Sequence, residues 1–341
     1  MLKLSVGYQH YGREPFSEIV KRYRESIGEV YFSWIDQPSG RSRLGGYDER
    51  DDRELRDELI DELRAIKSQN VKLHLLFNAN CYGEDAMSLG LEERVLSTIG
   101  LLESEGLAPD GVTTTSPAIA YMIKNRYDGI ELRASVNMRI MSVEGMAYVS
   151  ELYDGYCLAK EVNRDIPLLH RLREYATEHG KRITLLANSG CMRNCSGQIF
   201  HDNMVAHESE IARQRNIEFL PYTCYRYLRE VENHPTVLKN TWIRPEDIPN
   251  YEGLCDGIKL ATRMHALPGM VIDAYARRKY SGNLLDLFEP GHGPLFAPCV
   301  IDNDRFPIGW FEKTAFCDKN CASCGYCDEV WHRVAINSEE H

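Results

Sequence analysis

The chain has 341 residues, 43% hydrophobic and 27% charged, with a formal net charge of −11. That length exceeds a minimal domain and suits one large α/β barrel or two ordinary domains. The acidic balance excludes extensive electrostatic wrapping of nucleic acid and leaves room only for a local basic site, such as Arg226, Arg229 or the run Arg277-Arg278-Lys279. No apolar run reaches membrane-spanning length, and Met1-Leu2-Lys3-Leu4-Ser5 opens without an apolar signal region, so a cytoplasmic protein with no membrane partner is expected. Eleven cysteines in such a chain point to metal binding rather than a disulfide framework.

Taken in order, the chain alternates short apolar runs with amphipathic stretches. Leu2 to Val6 reads as a first strand, and Pro15 to Ile27 as a helix with Phe16, Ile19, Val20 and Tyr23 at helical spacing. Val30 to Trp34 is the second strand. Gln37 to Tyr47, rich in Gly, Ser and Arg, reads as a long exposed loop. Asp51 and Asp52 open a charged helix that runs to about Ser68, with acids where the helix dipole favours them. Later strands are expected at Val71–Phe77, Gly111–Thr115, Gly129–Val136, Gly155–Lys160, Arg182–Asn188 and Gly257–Thr262. The helices between them fall at Leu91–Gly106, Pro117–Asn125, Val143–Tyr153 and Ile166–His179, and a last one at Pro268–Tyr280.

Eight strand–helix units in alternation predict a (β/α)8 barrel over residues 1–282, with an insertion at about 190–255 after strand seven and a cysteine-rich extension over 283–341. A doubly wound sheet is the alternative, but no dinucleotide glycine fingerprint supports it. In a barrel, residues just after each strand converge on one mouth. That expectation gathers Asp36, Asn78, Asn80, Cys81, Asn137, Glu161, Asn188, Cys191, Cys195, Arg263 and His265.

Two thiol constellations stand out. Leu185-Leu186-Ala187-Asn188-Ser189-Gly190-Cys191-Met192-Arg193-Asn194-Cys195 runs a buried strand into a small-residue turn that carries two soft ligands. Cys224, in Pro221-Tyr222-Thr223-Cys224-Tyr225-Arg226-Tyr227, lies in the same insertion. Cys81 is the candidate fourth ligand and Cys299 the runner-up, whereas Cys157 and Cys255 read as core residues. His201 and His207 read as helix histidines rather than ligands. The second constellation is Cys317-x3-Cys321-x2-Cys324-x2-Cys327, four thiols within eleven residues, enough for one tetrahedral metal or one cubane cluster. Its tightness favours a cluster, and zinc stays open. The first three of these also match the spacing of radical S-adenosylmethionine enzymes, but there the motif follows an early barrel strand, not the far C-terminus. The acid–base candidates are Glu161 and Lys160 after strand six, with Lys259, Arg263 and His265 on or after strand eight. A plain salt bridge is the competing reading for Lys160 and Glu161.

Several segments, in order, resemble peptidase family U32, the collagenase-like group. They are Arg133-Ala134-Ser135-Val136-Asn137-Met138, Leu158-Ala159-Lys160-Glu161, Gly190-Cys191 with Ser196-Gly197, Pro221 to Tyr227, and Gly257-Ile258-Lys259 through Arg263. The similarity covers roughly residues 110–280. Two features depart from the family pattern: Cys195 precedes Ser196-Gly197, and the final strand lacks the family's Glu. The resemblance implies a barrel holding a [4Fe-4S] cluster on cysteines, and a group whose members include proteins of oxygen-independent hydroxylation.

The expected function is therefore an iron–sulfur enzyme that performs a redox or oxygen-independent hydroxylation reaction on an RNA base or small molecule. Cys191, Cys195, Cys224 and Cys81 would hold the cluster, and Glu161, Lys160 and Arg263 would position substrate or move protons. Cys317, Cys321, Cys324 and Cys327 would hold a second [4Fe-4S] cluster or zinc, and an electron donor or partner protein would complete the system. A metal-dependent or cysteine peptidase and a metal-stabilised scaffold are the rivals. The sequence shows no Gly-x-Ser-x-Gly and no His-Glu-x-x-His.

Overall fold

The computed structural model describes residues 1–10, 12–35, 37–41 and 52–337. Eight parallel strands close into a barrel in sequence order. They are β1 (Lys3–Gly7), β2 (Ile27–Ser33), β3 (Lys72–Phe77), β4 (Gly111–Thr114), β5 (Glu131–Ala134), β6 (Gly155–Cys157), β7 (Arg182–Leu186) and β8 (Gly257–Leu260). Closure is made by β1 against β8, with Leu4 opposite Ile258 and Val6 opposite Leu260. These strands are short apolar runs because both faces are covered, one by helices and one by the barrel interior. The (β/α)8 expectation is borne out.

The helices are α1 (Phe16–Arg22), α2 (Asp52–Lys67), α3 (Leu89–Ser104), α4 (Pro117–Arg126), α5 (Val143–Ala147), α6 (Ile166–Glu178), α7 (Gln198–Ala206), α8 (Glu208–Ala212), α9 (Thr223–Tyr227), α10 (Pro268–Arg277), α11 (Gly293–Phe296), α12 (Trp310–Ala315) and α13 (Tyr326–Val334). Local chemistry sets several starts. Ser88, Ser116, Ser142 and Asp165 each accept a backbone N–H of the first helical turn. Three expectations are corrected. α1 stops at Arg22 because Ile27 already begins β2. α5 covers five residues rather than Val143–Tyr153. β6 ends at Cys157, since Ala159 N turns to Ile140 O at 2.9 Å and Lys160–Arg164 form a 3-10 turn.

The barrel interior is polar. Arg133 donates to both oxygens of Glu29, at 2.5 and 3.0 Å, and to Glu131 at 2.8 Å. Ser5 Oγ donates to Glu29 at 2.6 Å, and the His74 Nε2 meets Thr113 Oγ1 at 2.6 Å. Burial of this layer is tolerable only because each charge has a close partner.

The insertion between β7 and β8 holds α7, α8, α9 and two 3-10 runs, Val231–Lys239 and Pro245–Tyr251. The tail lies against it. Trp242 of the insertion stacks on Phe288 and Trp310, with centroids at 5.3 and 5.9 Å, and Phe296 stacks on His234 at 4.1 Å. Strands β9 (Cys299–Ile301) and β10 (Ala335–Asn337) pair antiparallel and finish the tail. No helix among the described residues is long and apolar enough to cross a membrane.

Candidate active site at the barrel mouth

The carboxyl ends of the strands surround one cavity. β8 and its continuation supply Lys259, Ala261 and Arg263; β2 supplies Tyr31; the residues after β3 and β5 supply Asn78 and Asn137. Lys160 and Glu161 enter after β6, and Ser189 and Cys191 after β7. Arg41 and Glu289 come from connecting segments and Asp202 from α7. The sequence reading placed Asn78, Asn137, Glu161, Lys160, Cys191, Lys259 and Arg263 here, and they meet. It did not place Arg41, Asp202 or Glu289. Asp36 lies outside the described residues, as do Asp51 and positions 42–47 of the expected exposed loop. Of the rest of that loop, Gln37, Ser39 and Gly40 are buried, because Gly40 N donates to Asn78 Oδ1 at 3.2 Å; the expectation of exposure is corrected there.

The cavity is cationic. Arg263 is 8% exposed and its Nη1 has no hydrogen-bond acceptor among the described residues. Burial lowers its pKa to about 10. Lys259 is equally buried, its ammonium 4.2 Å over the Tyr31 ring, and burial lowers its pKa too. Lys160 and Glu161 pair at 2.5 Å. Burial opposes ionisation of Glu161, but Lys160 outweighs it, so the carboxyl sits below its ordinary value. Asp202 goes the other way: burial raises its carboxyl more than Arg41 and His201 lower it. The mouth therefore offers two poorly compensated cations beside one acid biased toward its protonated form, a set suited to an anionic ligand and a proton transfer.

The cysteine turn is held from three sides. Asn240 Nδ2 and His292 Nε2 donate to Gly190 O at 3.3 and 3.1 Å, and Arg193 N donates to Asn240 Oδ1 at 3.0 Å. Gly190 admits close backbone approach, since a Cβ there would sit 2.1 Å from Pro290 O. At Gly197 a Cβ would meet Thr223 Oγ1 at 2.2 Å, so this glycine lets the Cys195 turn lie against the segment carrying Cys224. Burial pushes the Cys224 thiol up to about 11, with Cys191 and Cys195 adding to the effect. Arg41 hydrogen-bonds Cys191, and its charge state is favoured by Cys191, Glu289 and Asp202 against burial.

Cys81 lies apart. It lines an adjoining pocket with Tyr82 and His207, its sulfur accepts from Gly83 N at 3.4 Å, and it is not among the charges acting on Cys224. Cys299 is half-buried on β9, and Cys157 and Cys255 are buried. Three other expected mouth residues serve elsewhere. Asn188 bonds the backbone of Ala261 and Leu287. His265 Nε2 donates to Asp286 O at 2.9 Å, and Asn80 lines neither pocket. His201 packs edge-on to Tyr222, at 5.1 Å between centroids. Cys317, Cys321, Cys324 and Cys327 together line a separate cavity in the tail. Among the described residues no three or more His, Cys, Asp or Glu side chains already form a cage for a metal ion.

Fold and mouth together define the class as a (β/α)8 barrel with its candidate site at the carboxyl ends of the strands. The structure titled U32 peptidase Mk0906 superposes with a TM-score of 0.55 at 18% identity, covering 76% of this chain and 92% of that one. The curated protein called "Uncharacterized protease MJ1657", from Methanocaldococcus jannaschii, is 26% identical over 283 residues, 80% of each chain. No protein-family profile matches. The resemblance to family U32 that the motifs suggested is thereby borne out.

Proposed function

We propose that the protein is an iron–sulfur enzyme whose barrel mouth binds a small anionic substrate and carries out a redox reaction on it, with oxygen-independent hydroxylation as the reaction class. The observation that carries this reading is Arg263: a buried guanidinium whose Nη1 has no acceptor among the described residues, lining the same cavity as Cys191. A buried cation of this kind is costly to the fold and is retained where a ligand supplies the missing negative charge.

Three thiols of one insertion, two of them on a turn that packs against the segment carrying the third, suit part of a [4Fe-4S] ligand set. Cys191, Cys195 and Cys224 would hold the cluster, and Cys81 would need to come across from the adjoining pocket to complete it. When bound, such a cluster supplies one-electron transfer. This chain's own residues do the rest. Arg263 and Lys259 bind and orient the anion. Asp202, its carboxyl raised by burial, is the candidate proton carrier, and the Lys160–Glu161 pair fixes the charge beside it. An electron donor must supply the cluster from outside.

The names of both relatives favour a peptidase as the second reading. Against a cysteine peptidase, Cys191 takes its hydrogen bond from Arg41, whereas thiol activation in those enzymes uses a histidine. The test is anaerobic purification with iron and sulfide analysis, followed by the electron paramagnetic resonance spectrum of the reduced protein. Loss of about four iron and about four sulfide in Cys191→Ser is expected. A chain that binds no iron after reconstitution, yet cleaves a labelled gelatin peptide, would replace this proposal with the peptidase.

A further inference from the structure

Away from the mouth, Cys317, Cys321, Cys324 and Cys327 surround one small cavity that Lys239 and Lys313 also line. We propose that this quartet is a resident metal–tetrathiolate centre, zinc or iron–sulfur, whose negative charge compensates the buried Arg164 and ties the tail to the barrel. The inference stands independently of any cluster at the mouth.

Arg164 carries the argument. It closes the 3-10 turn after β6 and is 7% exposed. Its guanidinium lies 4.2 Å over the ring of Trp242, from the insertion, and 5.1 Å over Trp310, from the tail. Nη1 donates to Leu238 O at 2.7 Å, whereas Nη2 is buried with no acceptor among the described residues. Burial works against its charge, and the quartet lies close by: Trp310, under the guanidinium, stacks on Tyr326 at 6.0 Å between centroids, and Tyr326 lines the cavity of the four thiols. Of the carboxylates nearby, Asp247 is already engaged by Arg244 through two contacts of 3.1 Å. As neutral thiols, the cysteines give Arg164 no compensating charge.

Ligation changes that balance. Four S–H protons leave to solvent and four metal–sulfur bonds form, with no change in the oxidation state of the sulfur. The product is dianionic for one divalent ion, and a cubane on four thiolates is anionic as well. Arg164 then has a compensating charge beside it. The cations around the cavity point the same way. Arg193 Nη1 faces Cys321 Sγ at 3.9 Å, and Lys239 and Lys313 stand on the cavity wall. N–H donors and positive charge around sulfur are what stabilise a metal thiolate. Arg193 also belongs to the turn between Cys191 and Cys195, so the tail centre adjoins the mouth through one side chain.

The test uses the full chain, purified without oxygen. Iodoacetamide labelling, mapped by peptide mass spectrometry, is run before and after chelation, alongside native mass and metal analysis. All four tail thiols should be protected together and become reactive together when the metal is removed. Zinc without sulfide identifies a zinc site; iron with matching sulfide identifies a cluster. Cys324→Ser, at the exposed corner, should lose the tail metal while Cys191→Ser keeps it. Arg164→Met should weaken retention about tenfold in a chelator competition. Free alkylation of the four thiols in protein incubated with zinc, and again after reconstitution with iron and sulfide, would overturn the proposal, and so would their recovery as disulfides. Wild-type retention in Arg164→Met would overturn the charge argument.

Discussion

Lys259 shows the tension between stability and ligand binding in a single side chain. It is buried, its ammonium rests on the face of Tyr31, and it has no ion-pair partner among the described residues. An uncompensated buried charge destabilises, so Lys259→Met should raise stability by about 1 kcal/mol in a urea titration while abolishing binding of the anion; a destabilised variant would mean that Lys259 is structural. His74 sets a pH dependence. Burial, helped by Arg133 and opposed by Glu29, lowers its pKa from 6.5 to about 4. Between those values the unfolded chain binds a proton that the folded chain refuses. Stability is therefore full above pH 6.5 and falls as the pH drops toward 4, by about 3 kcal/mol at most from this residue. His201, His234 and His292 are shifted in the same direction, so His74→Gln should flatten the slope in this window without removing it. Glu29, held below its ordinary value against burial by His74 and Arg133, acts in a lower window, below pH 4.5. Unchanged slopes in the two proteins would show that His74 titrates normally. Residues of this kind differ in how far the sequence reveals them. Arg263 and Glu161 were visible because they follow strands in a countable alternation. Arg41 and Asp202 were not, because Arg41 reaches the mouth from a connecting segment that carries no periodicity and Asp202 from α7, in an insertion outside the strand–helix count.

At the level of elements, the junction of β7, β8 and the tail depends on a few backbone contacts made by side chains. Asn188, fully buried, donates to Ala261 O at 3.0 Å and Leu287 O at 2.9 Å and accepts from Ala261 N at 2.6 Å. Asn188→Ala leaves three buried backbone groups unpaired and should cost about 2–4 kcal/mol. Asn188→Asp should cost more, since it sets a carboxylate against two carbonyl oxygens that need donors; equal losses in urea denaturation would refute this assignment of the amide. Gly190 makes a second demand. Its Cα–Pro290 O approach leaves no room for a methyl group, so Gly190→Ala should detach the 288–292 segment from the cysteine turn. The expected readout is faster hydrogen exchange at Gly190 and Glu289, whose amides bond Glu289 O and Asn188 O. The sequence placed Asn188 in the mouth because strand ends usually converge there. It could not show that the tail returns to take one of its amide hydrogens, because that contact joins residues 99 apart.

Across the whole molecule, the tail is packed as part of the core rather than as an appendage. Leu287, Phe288, Phe296, Phe306 and Trp310 belong to one buried apolar cluster with the barrel strands and with Trp242. Composition and cysteine spacing marked residues 283–341 as a separate extension, because neither shows which surface an aromatic cluster covers. Removing the tail would bare Trp242, leave Arg164 without Trp310, and strip Asn188 of Leu287 O. Burial of a large aromatic side chain is worth about 2–3 kcal/mol, so several such losses exceed the margin by which a domain is folded. The fragment 1–282 is therefore expected not to fold cooperatively. Trp242, Trp310 and Trp331 lie at the tail interface and only Trp34 lies at the barrel, which makes fluorescence a reporter of tail docking and far-ultraviolet circular dichroism a reporter of the barrel. In the full chain the two signals should change together in a single urea transition. A fluorescence change well before the loss of helical signal, or a cooperative transition in the isolated 1–282 fragment, would show instead that the barrel holds its fold alone.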